Sequence, residues 1–432
     1  MDTQFLKETL DNGLTIFFKE IHSAPIISSW IWYRVGSRVE KYGFTGISHW
    51  VEHMQFKGTQ KLSGPQMDRI VAREGGVGNA FTHLDWTTYY ETLPANKIEI
   101  AFQLESDRML NSVFDPIEVE SERTVILSEK EGKDNDPFSR LNNKVTQSSF
   151  IRHPYKNEII GTEDDLKNIQ RDDLFNHYRN YYQPSNAVLT IAGDFNTKSI
   201  LNLVKHSFGS IPNIKKVHNH SAKPESTISK KKEIILNGPG DTIYLQIAYR
   251  APAANDSDFF AFTILDSILT GPASLNMFGG GGTSNKISRL YQRLVEKELA
   301  ISVFGGLQAT IDPFIYDLAV ILHPERKPDQ VLTQIDGEID KLCNQHVSHK
   351  EISRAIKQAT ALFVYGLENI TNQAFWLGYS EMFANYDWFT NYINHLKNIQ
   401  PVDILRVAQK YLGADHRVIG LYIPDQIQGD GL

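Results

Sequence analysis

One cysteine, Cys343, stands among 432 residues. A lone thiol closes no internal disulfide and builds no cysteine-rich zinc site, so any metal must be held by histidines and carboxylates. Long apolar runs are missing too. No stretch approaches the ~18 residues that span a bilayer, and no membrane span is expected. The first twenty residues carry Lys7, Glu8, Asp11, Lys19 and Glu20, charges that do not suit a signal peptide. A basic excess is also absent. Asp and Glu number 51 against 44 Lys and Arg, a formal charge of −7, which argues against a nucleic-acid binder with its usual basic face. These lacks fit a cytoplasmic protein, and equally the mature form of a periplasmic or organellar one. What is present is ordinary for a folded chain: 41% hydrophobic and 22% charged residues, with length for about two or three domains.

The chain reads as a duplication. Asn168-Ile-Gln-Arg-Asp-Asp-Leu174 returns 230 positions later as Asn398-Ile-Gln-Pro-Val-Asp-Ile404, with Tyr181 falling on Tyr411 and the apolar run 187–191 on 417–421. Both segments predict a helix followed by a strand. Near each start, Ile31-Trp32-Tyr33 falls on Tyr244-Leu245-Gln246, and Gly58 on Gly271, at an offset of 213. The difference, 230 − 213 = 17, calls for an insertion in the later copy, and residues 278–285 with their four glycines are its natural place. Residues 215–232 are rich in Lys, Ser, His and Asn, without hydrophobic periodicity, and read as a linker. The expected organisation is an α+β protein with domains 1–214 and 233–432 around the linker 215–232. Each domain would be a mainly antiparallel sheet packed with helices.

The chemistry centres on His49-Trp50-Val51-Glu52-His53. On a helix, His49, Glu52 and His53 occupy i, i+3 and i+4, one face. Ile47, Trp50, Val51 and Met54 point nearly the opposite way at about 100° per residue. The apolar set would dock the helix on a core while the polar set faces a cavity. Two imidazoles one turn apart can reach one Zn²⁺ at about 2.0–2.1 Å. The carboxylate between them can then take a proton from a metal-activated water and pass it to a leaving amine. The bland alternative is a polar helix face that happens to hold two histidines; the segregation of the two sets favours the metal site. A catalytic zinc usually takes three protein ligands. Asp115-Pro116-Ile117-Glu118 starts a helix that carries Glu122 and Glu129, one face but about 10.5 Å apart along the axis. One would touch the metal and the other would orient a histidine or water. Spacing does not choose between them, and His83 and Asp85 remain further candidates. Residues 278–284 lack the Gly-Lys-Ser/Thr of a phosphate loop.

These residues resemble the pitrilysin/insulinase family of zinc peptidases (inverzincins), above all its short-chain bacterial branch similar to mitochondrial processing peptidase. The resemblance covers nearly the whole chain. Leu10-Asp11-Asn12-Gly13-Leu14 looks like the family's opening strand, and Val35-Gly36-Ser37-Arg38-x-Glu40 with the block from Gly46 to Thr59 looks like its active-site region. Asn79-Ala80-Phe81-Thr82, His153-Pro154-Tyr155, Gly161-Thr162 and Tyr182-x-Pro184-x-Asn186 follow in the family's order. The resemblance implies two homologous domains facing each other across a substrate chamber. It implies one Zn²⁺ per chain held by His49, His53 and Glu129, with Glu52 as general base and Glu122 behind the ligands. It also implies that Asn79, Ala80, Phe81 and Thr82 form an edge strand pairing with the backbone of an extended peptide.

The departures from the family pattern matter as much. Where the family often carries Arg-Glu-Lys-x-Gly-Leu-Ala-Tyr, this chain reads Val295-Glu296-Lys297-Glu298-Leu299-Ala300-Ile301, with aliphatic residues in place of the Arg and the Tyr and one residue missing. An oxyanion donor lost in this way usually costs about 2.7–4 kcal/mol of transition-state stabilisation. Arg289, Tyr291 and Arg293 lie nearby but out of register. At the 213 offset, His49, Glu52 and His53 fall on Phe262, Leu265 and Asp266, so the second half has no zinc set. The family includes heterodimers in which one subunit bears zinc and a homologous partner supplies the Arg/Tyr pair. The expectation is therefore a zinc metalloendopeptidase acting on unfolded peptides or presequences, as the catalytic subunit of such a pair. The glycine stretch 279–282 resembles the glycine-rich loop of the non-catalytic subunit, and equally an ordinary surface loop. The alternative function is a non-catalytic structural or assembly subunit resembling core subunits of respiratory complexes. A chaperone-like peptide binder with structural zinc is a third reading, in which Glu52 would have no task.

Overall fold

The computed structural model describes residues 5–214, 222–225, 227–273 and 284–426. Eleven strands lie among them: β1 Leu6–Thr9, β2 Thr15–Glu20, β3 Ile26–Tyr33, β4 Val77–Thr82, β5 Thr87–Pro94, β6 Ala187–Gly193, β7 Lys232–Gly238, β8 Tyr244–Arg250, β9 Ala300–Leu307, β10 Ile315–Leu322 and β11 Arg417–Pro424. They form two sheets, ordered β1-β2-β6-β3-β5-β4 and β7-β11-β8-β10-β9. The last five places of the first sheet repeat strand for strand in the second. Each sheet is mixed: β2 runs parallel to β6, and β7 to β11, while the other pairs are antiparallel. A long excursion separates β2 from β6, and parallel neighbours require such a crossover.

The duplicated segments fold alike. The helices Arg171–Tyr181 and Pro401–Tyr411 lie 230 residues apart and start with the same capping box. The Gln170 N–H donates to Asp173 Oδ2 at 2.9 Å, and the Gln400 N–H to Asp403 Oδ2 at 3.0 Å. The earlier offset needs a correction. Val188 pairs with Trp32, and Val418 pairs with Ala248. Trp32 thus corresponds to Ala248, an offset of 248 − 32 = 216, three more than 213. The strand pairing sets the register here, and a short apolar run carries no local marker of it. Phe262, Leu265 and Asp266 lie on the helix Asp258–Leu269 and are all buried. Asp266 there accepts from Thr270 and Tyr316 at 2.7 and 2.6 Å.

The contact-defined units are not the two contiguous sequence halves. One comprises residues 1–130, 157–222 and 368–390; the other comprises 131–156, 223–367 and 391–432. Each sheet is covered on one face by a helix from the other half of the sequence. In the first unit, the helix Ile370–Phe383 lies on β3 and β6, where the Thr190 hydroxyl donates to the Ala374 carbonyl at 2.8 Å. Trp32 approaches Gly378 so closely that a Cβ there would sit 2.1 Å from the indole Nε1. With helices on both sides, β3 is buried along its length from Ile27 onward, which accounts for its nearly continuous apolar and aromatic sequence. In the second unit, the helix Pro137–Ser149 lies on β8 and β11, with Val145 and Leu141 against Gly420. Part of the expected linker belongs to this unit as well. The Glu225 carboxylate accepts the backbone N–H groups of Ile151, Arg152 and His153 at 2.8, 2.5 and 2.7 Å. The glycine stretch 279–282 lies outside the described residues.

Candidate active site

The motif forms the helix Ile47–Met54 in the first unit. Gly46 before it has φ +88°, and a Cβ there would meet the Ile160 carbonyl oxygen at 2.3 Å. Only glycine suits both conditions. No N-cap side chain closes the helix start. Instead Glu40 reaches in, accepting the N–H groups of Gly46 and Ser48 at 2.9 Å each, as a carboxylate at a helix N-terminus should. Burial pushes the Glu40 carboxyl up to about 7 against those two hydrogen bonds. Ile47, Trp50, Val51 and Met54 are buried in the core of the first unit. That docking turns the other helix face outward.

On the outward face, His49 and His53 meet Glu129 of the helix Pro116–Asn135. Glu129 Oε2 lies 3.8 Å from His49 Nε2 and 3.9 Å from His53 Nε2, and the three donor atoms all fall within 4.8 Å of one another. No other group of three or more His, Cys, Asp or Glu side chains converges in this way among the described residues. Two imidazoles and a carboxylate suit zinc in both chemistry and number. Glu122, seven residues earlier, sits behind this face: its Oε1 lies 2.8 Å from His53 Nδ1, and its other oxygen pairs with Lys57. Nδ1 is thereby occupied, while Nε2 faces Glu129. Burial lowers the basicity of His53, but the Glu122 contact and the nearby carboxylates raise it by more. For Glu122, burial acts upward, and the hydrogen bonds from His53 and Lys57 outweigh it to hold the carboxyl below its usual range.

Glu52 is 9% exposed and accepts the Thr82 hydroxyl at 2.7 Å on Oε2. Burial raises its carboxyl above the usual range, opposed by Thr82 and by His53. Asn79, Ala80, Phe81 and Thr82 all lie on β4, the edge strand of the first sheet, paired only with β5 among the described strands. The Ala80 N–H donates to Asn79 Oδ1 at 2.9 Å, and the Phe81 ring stacks on Tyr90.

The remaining candidates are placed elsewhere. His83 stacks against Trp86, ring centroids 4.9 Å apart, and buried Asp85 pairs with Arg38 at 3.8 Å. Neither joins the histidine cluster. In the second unit, Val295 ends the short π-helix Tyr291–Val295, and Ile301 stands exposed on β9. Arg289 pairs with Glu351 at 3.0 Å and Arg293 with Glu338 at 2.8 Å. Both guanidiniums are thus engaged within their own unit. Sequence reasoning assigned no role to Glu40 or Lys57 and none to the Thr82 hydroxyl. Glu40 had one faint signal, its place six residues before Gly46 in the quoted block.

Comparison with known proteins shows the family. Residues 15–163 match the family profile described as Insulinase (Peptidase family M16), and residues 168–359 match the one described as Peptidase M16 inactive domain. The chain belongs to peptidase family M16, the pitrilysin/insulinase family, and to its members similar to mitochondrial processing peptidase. It is 27% identical to the zinc protease PqqE of Helicobacter pylori over 414 residues, covering 93% of this chain and 89% of that one. It is 26% identical to the mitochondrial-processing peptidase subunit beta of Lentinula edodes over 413 residues, covering 94% and 86%. A solved protease structure from Helicobacter pylori superposes with a TM-score of 0.90 at 26% identity, covering 98% of this chain and 99% of that one. Among the described residues, no helix is long and apolar enough to cross a membrane.

Proposed function

We propose that this chain is a zinc metalloendopeptidase that hydrolyses unfolded peptides or presequences, with His49, His53 and Glu129 as metal ligands and Glu52 as general base. The observation that carries this reading is the convergence of the three donor atoms within 4.8 Å on a helix face that also presents Glu52. Zinc, when bound, supplies Lewis acidity and lowers the pKa of a coordinated water. Glu52 takes the water's proton and delivers it to the leaving amine. Burial, which raises its carboxyl above the usual range, makes it a better proton acceptor than an exposed carboxylate. Glu122 holds the His53 tautomer that leaves Nε2 free for the metal. Asn79, Ala80, Phe81 and Thr82 hold the peptide extended through backbone hydrogen bonds along the open edge of β4, the manner of strand addition.

The chain acts, in this reading, with a homologous partner subunit. Support comes from the aliphatic Val295 and Ile301 and from Arg289 and Arg293, whose charges are spent on Glu351 and Glu338. Val295 and Ile301 offer no donor to an oxyanion, and Arg289 and Arg293 are paired with carboxylates of their own unit. The same lack favours the alternative of a non-catalytic subunit, but a subunit that cleaves nothing gives the His49/His53/Glu129 set and Glu52 no reason to persist together. A cytoplasmic site of action is part of the proposal and is supported by the single cysteine, which leaves no internal disulfide for an oxidising compartment to form. Cell fractionation tests it.

The function is tested with a quenched-peptide library and the zinc-loaded chain, alone and mixed with a homologous chain that carries the Arg and Tyr. Cleavage by the mixture, lost on chelation, is expected. Full activity of the chain alone would overturn the heterodimer. No cleavage by the zinc-loaded mixture would overturn the peptidase.

A further inference from the structure

A buried carboxylate on a three-torsion side chain needs a partner to hold one orientation. Glu52 has such a partner in Thr82, the last residue of β4, whose hydroxyl donates to Oε2 at 2.7 Å. Thr82 is itself well fixed. It pairs with Thr87 across the hairpin, which closes through the His83 N–H on the Trp86 carbonyl at 2.8 Å. Thr87 is anchored in turn, its hydroxyl donating to the Val35 carbonyl at 2.8 Å. A β-branched side chain on a paired strand also has few χ1 choices.

We propose that Thr82 is a positioning residue of the peptidase reaction: its hydroxyl holds Oε2 of Glu52 and so keeps Oε1 turned toward the water. This rests on the zinc-peptidase reading above and deepens it. It gives β4 two tasks on one rigid piece of chain. The backbone of Asn79, Ala80, Phe81 and Thr82 aligns the peptide, and the last side chain of the same strand aims the base. The scissile bond and the proton acceptor are then set by a single register. A Thr82 hydroxyl that mattered only for folding would leave the orientation of Glu52 and the turnover rate untouched.

The test compares Thr82→Val, which keeps shape and loses the hydroxyl, with Thr82→Ser, which keeps the hydroxyl. Steady-state cleavage with the homologous partner present should show kcat falling by about 10–100-fold in Thr82→Val with KM within about twofold, since small misplacements of a reacting group cost rates of this order. Thr82→Ser should recover most of the loss, and both variants should bind one zinc. Unchanged kcat in Thr82→Val, a rise in KM alone, or a Ser variant as slow as the Val variant would each overturn the proposal. A second arm does not depend on cleavage. Crystal structures of wild type and Thr82→Val should show the Glu52 carboxylate turned to a new rotamer, with His49, His53 and Glu129 unmoved. A Glu52 carboxylate that keeps its place overturns the proposal even if the protein proves not to be a peptidase. Inactivity of the zinc-loaded wild type mixed with its homologous partner, together with a reoriented Glu52 in Thr82→Val, would overturn the peptidase reading and leave the hydroxyl's hold on Glu52 standing.

Discussion

His53 is held from behind: its Nδ1 lies 2.8 Å from Oε1 of Glu122, while its Nε2 faces Glu129 at 3.9 Å. The two ring nitrogens have separate duties, and the hydrogen bond on one fixes the tautomer that frees the other. In the zinc-peptidase reading, removing the outer carboxylate should weaken the metal site without removing a ligand. For Glu122→Ala the expected loss of zinc affinity is about 10–100-fold, read by competition with a coloured chelator. Unchanged affinity would make Glu122 a mere partner of Lys57.

Glu225 stabilises the second unit through three backbone N–H groups, from Ile151, Arg152 and His153. Burial acts to raise its carboxyl pKa, but these three bonds outweigh it and the net shift is downward from 4.5. A carboxylate whose folded pKa lies below its unfolded value contributes stability above the unfolded value. That contribution is lost as pH falls through the folded pKa. Glu225→Gln should therefore destabilise the protein at pH 7, by about 1–3 kcal/mol. The gap to wild type should narrow progressively as pH drops below 4.5. Thermal unfolding across a pH series reads this directly, and a gap that does not depend on pH would show that the charge is unimportant.

The close packing of the helix Ile370–Phe383 on β3 makes Gly378 sensitive. A Cβ there would stand 2.1 Å from Nε1 of Trp32, which is fully buried. The indole cannot retreat without disturbing the aromatic cluster it forms with Trp30, Trp86 and Phe375. Gly378→Ala should cost about 1–3 kcal/mol, as overpacking of a filled core does. Denaturant unfolding measures it, and an alanine tolerated at full stability would mean that the helix sits further from the sheet.

The candidate site was more legible in the sequence than the packing. His49, Glu52 and His53 were legible because a helix turns fixed spacing into one face, and Ile47, Trp50, Val51 and Met54 identified the opposite face independently. Glu129 was not separable from Glu122 by spacing, since both share a helix face. The choice depends on where that helix crosses the motif helix, a tertiary fact. Thr82 and Glu40 act across 30 and 6 to 8 residues, with nothing in local pattern to pair them with their targets. The two similar halves were visible in Asn168–Leu174 and Asn398–Ile404, where caps and turns carry distinctive residues. The strand offset was three residues off because Ile31-Trp32-Tyr33 has no such marker. Nothing in the local sequence of the helix Ile370–Phe383 tells that its partner is a sheet built from the other end of the chain.

The central claim is that Glu52 is the proton acceptor at a zinc held by His49, His53 and Glu129. The most direct measurement is Glu52→Gln, with zinc content by elemental analysis and peptide cleavage on the same preparation, in the presence of the homologous partner. The account predicts one zinc per chain, as in wild type, with cleavage reduced to background. Cleavage at the wild-type rate by the zinc-replete variant would contradict it.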